Sequence, residues 1–93
     1  MSTPIATARR NLVQRISNLL RKAENGDINL TPWQLCEVQR GVEQLEEGRF
    51  AEGERTMSEV ELPNLYEPTG YVAKEPIDRR HLVDQLAAVV AAA

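Results

Sequence analysis

The stretch QLEEGRFAEGE (residues 44–54) decides the fold, because it ends one helix and begins the next. Gly48 follows a run of helix-forming residues, and glycine readily takes the left-handed backbone conformation that terminates a helix. Phe50 begins a further helix, and Gly53 lies on the inner side of that helix, where a side chain would block close approach. Gly41 is expected to have the same function in the preceding helix. The stretch therefore predicts two helices that pack on each other.

A similar pattern occurs earlier in the chain. AENGDI (residues 23–28) and LEEGRF (residues 45–50) each consist of an apolar residue, a glutamate, a polar residue, a glycine, a charged residue and a second apolar residue. The last residue of each can fold back onto the helix just ended, so Gly26 is predicted to end the first helix. In NLTPWQL (residues 29–35), Thr31 can cap a second helix, with Pro32 in its first turn and Gln34 completing a capping box.

Apolar residues recur at spacings of three and four along the first and last segments, as on the buried side of a helix. In the first segment they are Ile5, Ala8, Leu12, Ile16, Leu19 and Ala23. In the last, Asp78 is the predicted cap and the stripe runs through Leu82, Leu86 and Val89. We expect helices at about 4–25, 32–47, 50–61 and 79–91.

Between the last two helices, LPNLYEPTGYVAKEPI (residues 62–77) contains three prolines and a glycine, which exclude a continuous helix. The sequence thus predicts one all-α domain over residues 1–93. It is a small bundle of three to four helices, with a central antiparallel helical hairpin and an extended, proline-rich connection before the last helix. Because this connection is too apolar for a simple linker, it is expected to dock either on its own chain or on a partner.

The helix pair around residues 44–54 resembles a single tetratricopeptide hairpin. The resemblance rests on Gly41, Gly48, Phe50 and Gly53, which have the spacing of the small, turn and aromatic positions of that family. It covers one helix pair, and Glu37 and Gln44 occupy positions where the family prefers large apolar residues. Since a repeat array needs about three units to bury its core, the resemblance implies hairpin geometry and not membership.

The net charge of −3 conceals an uneven distribution. Residues 1–25 carry five basic side chains and one acid, whereas residues 26–68 carry ten acids and three arginines. The basic residues of the first helix are Arg9, Arg10, Arg15, Arg21 and Lys22. They either compensate the acidic segment by packing beside it, or form a free basic face for nucleic acid or another acidic partner.

No pattern of catalytic or metal-binding residues is evident, so we expect no enzyme activity, cofactor or metal. His81 and Cys36 are each the only residue of their type; we expect His81 at the surface and Cys36 buried as a small apolar residue. Glu43, Glu46 and Glu47 are expected to form a solvated acidic face. With one cysteine and no apolar leader or membrane-spanning run, the expected compartment is the cytoplasm.

The predicted function is a protein–protein interaction module, such as a regulatory subunit, inhibitor or adaptor, that binds through the segment 62–77 and the last helix. The candidate partner-binding residues are Tyr66, Tyr71, Leu82, Leu86 and Val89. A protein partner or a second copy is expected, without nucleic acid or membrane. The alternative is a nucleic-acid-binding or antitoxin-like regulator that uses the basic first helix. Trp33 is open to two interpretations, an anchor for the first helix or a binding hot spot.

Overall fold

The computed structural model describes residues 4–61 and 77–92, and every regular element among them is an α-helix. The helices are α1 (Pro4–Glu24), α2 (Pro32–Glu46), α3 (Phe50–Glu61) and α4 (Arg79–Ala91). The prediction of an all-α fold is therefore confirmed for this part of the chain. Most of the predicted connection, with Tyr66 and Tyr71, lies outside the described residues.

The two glycine-containing helix ends have the same hydrogen-bond pattern. The N–H of Asp27 donates to the Lys22 carbonyl at 2.9 Å, and the N–H of Arg49 donates to the Gln44 carbonyl at 2.8 Å. In each case the preceding glycine has a positive φ, +83° for Gly26 and +78° for Gly48. These are the bonds of a Schellman motif, so both glycines end their helices as predicted.

The starts of α2 and α4 are capped by side chains. The Thr31 hydroxyl accepts a hydrogen bond from the Gln34 N–H at 3.1 Å, and the Gln34 side chain accepts one from the Thr31 N–H at 2.9 Å. The Asp78 carboxylate accepts from the Arg80 N–H at 2.9 Å. Both caps were predicted, and they satisfy backbone donors that a helix start leaves without a partner.

The described core draws aliphatic side chains from all four helices. Its fully buried members include Leu12, Ile16, Val38, Val42, Met57, Val60 and Leu82. Ile5, the first residue of the predicted α1 stripe, is instead 70% exposed. The buried part of the predicted α1 stripe therefore begins only after Ile5. At 21 residues, α1 is also longer than the 15-residue α2.

Close approach of α1 and α3 depends on the absence of a side chain at Gly53. A Cβ atom there would lie 2.5 Å from Cδ2 of Leu12, which is far inside van der Waals contact. At Gly41 a Cβ atom would lie 3.2 Å from Sδ of Met57. Both helical glycines therefore permit tight packing, as predicted. The requirement for glycine is much stricter at position 53 than at position 41.

Candidate interaction surface

The inner side of α4 belongs to the core. Leu82 is completely buried and Leu86 is 6% exposed, because α4 packs this side against α1 and α2. Both were candidate partner-binding residues, and their burial removes them from the surface that a partner of the folded chain can reach. Val89, the third member of that stripe, is half-buried against the same core.

A second side of α4, beside the buried one, is also apolar, and it is exposed. Val83 is 38% exposed and Val90 is 46% exposed. Seven residues separate them, so they lie on the same side of the helix, with the exposed Ala87 between them. We refer to Val83, Ala87 and Val90 as the outer face of α4. Periodicity alone does not distinguish this exposed apolar surface from the buried one.

A groove between α1 and α4 continues this outer face. Its lining residues are Ala6, Arg9, Arg10, Val13 and Val90, and its volume is about 300 Å³. Ala6, Val13 and Val90 make most of its wall apolar, whereas the two charged residues are both arginines. We refer to it as the α1–α4 groove.

Two arginines join α1 and α4 at opposite ends. Arg9 of α1 donates from Nη2 to the Val89 carbonyl at 2.9 Å, and Arg79 of α4 donates from Nη1 to the Ala23 carbonyl at 2.7 Å. Each acceptor lies in the last turn of a helix, where carbonyls lack intrahelical partners and a positive charge is favourable. The paired contacts show that the two helices run in opposite directions, and the Arg9 contact lies at the α1–α4 groove.

Arg15, in the middle of the predicted basic face, is bound to α3. It donates from Nη1 to a Glu54 carboxylate oxygen at 2.6 Å, and from Nε and Nη2 to the two Glu61 carboxylate oxygens at 3.1 and 2.8 Å. The hydrogen bonds to Glu61 and then to Glu54 raise the pKa of Arg15 above its ordinary value. This arrangement favours the first interpretation of the charge distribution, in which the basic helix packs beside acidic side chains.

The other candidate basic residues have separate environments. Arg9 donates to the Val89 carbonyl and Arg21 donates to the Asn18 side chain at 2.6 Å. Arg10 and Lys22 are exposed, and neither side chain has a hydrogen bond or ion pair to another described residue. Arg10 lines the α1–α4 groove, so it is the basic-face residue that adjoins the exposed apolar side chains.

The remaining candidates do not form a chemical site among the described residues. His81 is exposed as predicted, whereas Cys36 is half-buried and not fully buried as expected. Trp33 is half-buried in the first turn of α2. Within residues 4–61 and 77–92, no three His, Cys, Asp or Glu side chains converge in a way that could hold a metal ion.

One polar contact was missed by sequence reasoning. Gln44, a position where the tetratricopeptide pattern prefers an apolar residue, is buried, and its Oε1 accepts a hydrogen bond from the Thr56 hydroxyl at 2.7 Å. The signal available was that both residues fall on inner sides of neighbouring helices, where a buried polar group requires a partner. The pair helps to set the register of α2 on α3.

Neither the character of the helices nor comparison with known proteins assigns a function. Among the described helices, none combines the length and apolar character of a membrane span. Comparison with protein-family models, with curated proteins and with solved structures gave no match.

Proposed function

We propose that this chain is a non-enzymatic protein–protein interaction module, acting as a regulatory subunit, an inhibitor or an adaptor. The observation that carries the proposal is the exposure of the outer face of α4, with Val83 at 38% and Val90 at 46%. Single exposed aliphatic residues are common, but these two lie on one helix face, and Val90 also lines an apolar groove. Apolar surface gathered in this way is typical of a binding site.

The binding surface in this proposal extends from α4 into the segment 62–77, which carries Tyr66 and Tyr71. In the sequence this segment leads directly into the Asp78 cap of α4. Tyrosine is frequent among residues that contribute most to binding, since its ring buries a large apolar area and its hydroxyl can form a hydrogen bond. The two tyrosines are therefore proposed as further anchors for the partner.

The proposed scaffold for this surface includes an antiparallel hairpin of α2 and α3. Two contacts support it: Gln34 near the start of α2 donates to the Val60 carbonyl near the end of α3, and Gln44 near the end of α2 meets Thr56. In this arrangement residues 62–77 form the extended connection to α4. The proposed compartment is the cytoplasm, for which a chain with one cysteine, Cys36, is well suited.

The test is affinity capture from an extract of the host cell, combined with measurement of the mass of the purified chain by sedimentation. The variant is Val83→Ser combined with Val90→Ser, which preserves helix formation because valine and serine have similar helix propensities. The matched control is Glu59→Ser on the exposed surface of α3.

We expect a captured protein, or a second copy, to be lost with the double variant and retained with Glu59→Ser. A second pair of variants, Tyr66→Ala and Tyr71→Ala, measures the contribution of the segment. The proposal is overturned if the wild-type chain is monomeric and captures nothing, or if the double variant captures the same proteins in the same amounts.

A further inference from the structure

Two grooves lined by described residues lie beside α1, and they differ in charge. The groove between α1 and α3 is lined by Ala8, Asn11, Arg15, Phe50, Ala51 and Glu54. Its two charged residues, Arg15 and Glu54, form an ion pair with each other across it. That groove therefore offers no uncompensated charge of either sign to a ligand.

The α1–α4 groove is different because both charged residues in its lining are basic. Arg9 uses one nitrogen to cap the Val89 carbonyl, and this neutral acceptor does not cancel its charge. Arg10 is exposed and has no ion-pair partner among the described residues. The groove thus combines an apolar wall with two arginines, between Ala6 and Val13 on α1, that form no ion pair with a described acidic residue.

The dimensions of the surface suit a helix. From Val83 to Val90 the outer face of α4 extends for about 10 Å, or two helical turns. Because α1 and α4 are held together at both ends by Arg9 and Arg79, the depression between them is a preformed seat of the kind that receives the apolar face of an amphipathic helix. Binding would not require these two helices to separate.

We propose that the α1–α4 groove binds an amphipathic helix of another protein, with aliphatic residues on its inner face and glutamate or aspartate residues beside them. This rests on the proposed interaction function and specifies its surface and the chemistry of the partner. The acidic residues pair with Arg9 and Arg10, while the aliphatic residues contact Val13 and Val90. A second copy seated face to face is disfavoured, because it would bring the arginines of both copies to one interface.

The experiment uses the full chain and two synthetic helical peptides as probes. Both peptides carry leucines at positions i, i+4 and i+7; one has glutamates beside the leucines and the other has lysines. Binding is measured by fluorescence anisotropy, and the contact surface is mapped from backbone amide shifts in nuclear magnetic resonance spectra. We expect the glutamate peptide to bind more tightly, with the largest shifts around Val13, Val83 and Val90.

Two variants test the roles of charge and apolar contact. Arg10→Ala is expected to weaken binding of the glutamate peptide about 2- to 5-fold, as for a solvent-exposed ion pair, and added salt should reduce this difference. Val90→Ser should weaken binding about 5- to 10-fold through lost apolar burial. The matched control, Arg55→Ala, removes an exposed arginine of α3 and should change neither value.

Several results would overturn this assignment. Tighter binding of the lysine peptide would contradict the charge argument, and shifts confined to another surface would contradict the location while leaving the interaction function standing. Failure of both peptides to bind would refute the proposed ligand chemistry. Concentration-dependent dimerisation that Val90→Ser abolishes would identify a second copy as the occupant.

Discussion

Replacement of Gly53 by alanine tests the close approach of α1 and α3 in the described core. The added Cβ would lie 2.5 Å from Cδ2, 3.3 Å from Cδ1 and 3.5 Å from Cγ of Leu12, so it meets the whole end of that side chain. Leu12 is completely buried and cannot turn outward. Overpacking costs about 1–3 kcal/mol, and so short an approach belongs to the upper part of that range, about 2–3 kcal/mol, whereas the better helix propensity of alanine returns about 1 kcal/mol. We expect a net loss of about 1–2 kcal/mol in the free energy of unfolding.

The measurement is urea unfolding followed by far-ultraviolet circular dichroism, with Gly41→Ala as the matched control. At Gly41 the nearest atom to an added Cβ is Sδ of Met57 at 3.2 Å, and a flexible thioether can move by a few tenths of an ångström. Gly41→Ala is therefore expected to range from neutral to about 1 kcal/mol stabilising.

A second variant separates the clash from any general effect of the substitution. In a Leu12→Val background the colliding Cδ atoms are absent, so Gly53→Ala should no longer destabilise the chain, giving a coupling energy of about 1 kcal/mol or more. A Gly53→Ala protein as stable as the wild type, or a loss that persists unchanged in the Leu12→Val background, would refute the packing argument.

Four further substitutions test other parts of the fold by the same unfolding measurement. Gly48→Ala should cost about 1 kcal/mol from its positive φ alone, since nothing lies within 4 Å of the added Cβ; an equally stable variant would contradict the backbone argument. Thr31→Ala should cost about 0.5–2 kcal/mol through loss of the α2 cap, and a smaller loss for Thr31→Ser than for Thr31→Ala is the expected control. Arg15→Ala should cost about 1 kcal/mol, less at high salt, because its ion pairs are partly exposed; a salt-independent loss would indicate packing by its aliphatic stem. Leu86→Ala should cost about 2–4 kcal/mol, and a change below about 0.5 kcal/mol would show that α4 does not complete the core.

Helix ends were predictable because their signals are local. The Thr31–Gln34 capping box spans four residues, and the bonds around Gly48 join residues at most five positions apart. Such features depend on side-chain chemistry and backbone conformation within one turn, so periodicity and turn residues suffice to find them. The requirement for glycine at position 53 was also recognisable, although its exact neighbour, Leu12, was not.

Whether the leucine stripe of α4 packs in the core or meets a partner was not predictable from its own sequence. Val83 and Val90 lie beside Leu82 and Leu86 on the helix, so periodicity alone does not determine which apolar side chains stay exposed. Only packing on α1 and α2 decides that the leucines are buried and the valines exposed. The exposed apolar surface of α4 is therefore not the leucine stripe but the face beside it.

Ion pairs between residues far apart in the sequence also determine which basic side chains of α1 remain exposed. Arg15 bonds to Glu54 and Glu61, which lie 39 and 46 positions later in the chain. The opposite charges of the two regions suggested compensation, but composition does not select one arginine from five basic residues. Which basic residue pairs with the acidic side chains depends on the side of α1 that faces α3. Arg10 instead lies beside the α1–α4 groove.

The central claim is that the outer face of α4 binds a partner while its inner face completes the core. The most direct measurement is photo-crosslinking in the host cell, with benzoyl-phenylalanine placed at Val90 in one variant and at the exposed Ser58 of α3 in another. We expect one discrete crosslinked protein from position 90 and none from position 58. Absence of a crosslinked species at position 90, or the same species from both positions, would contradict the claim.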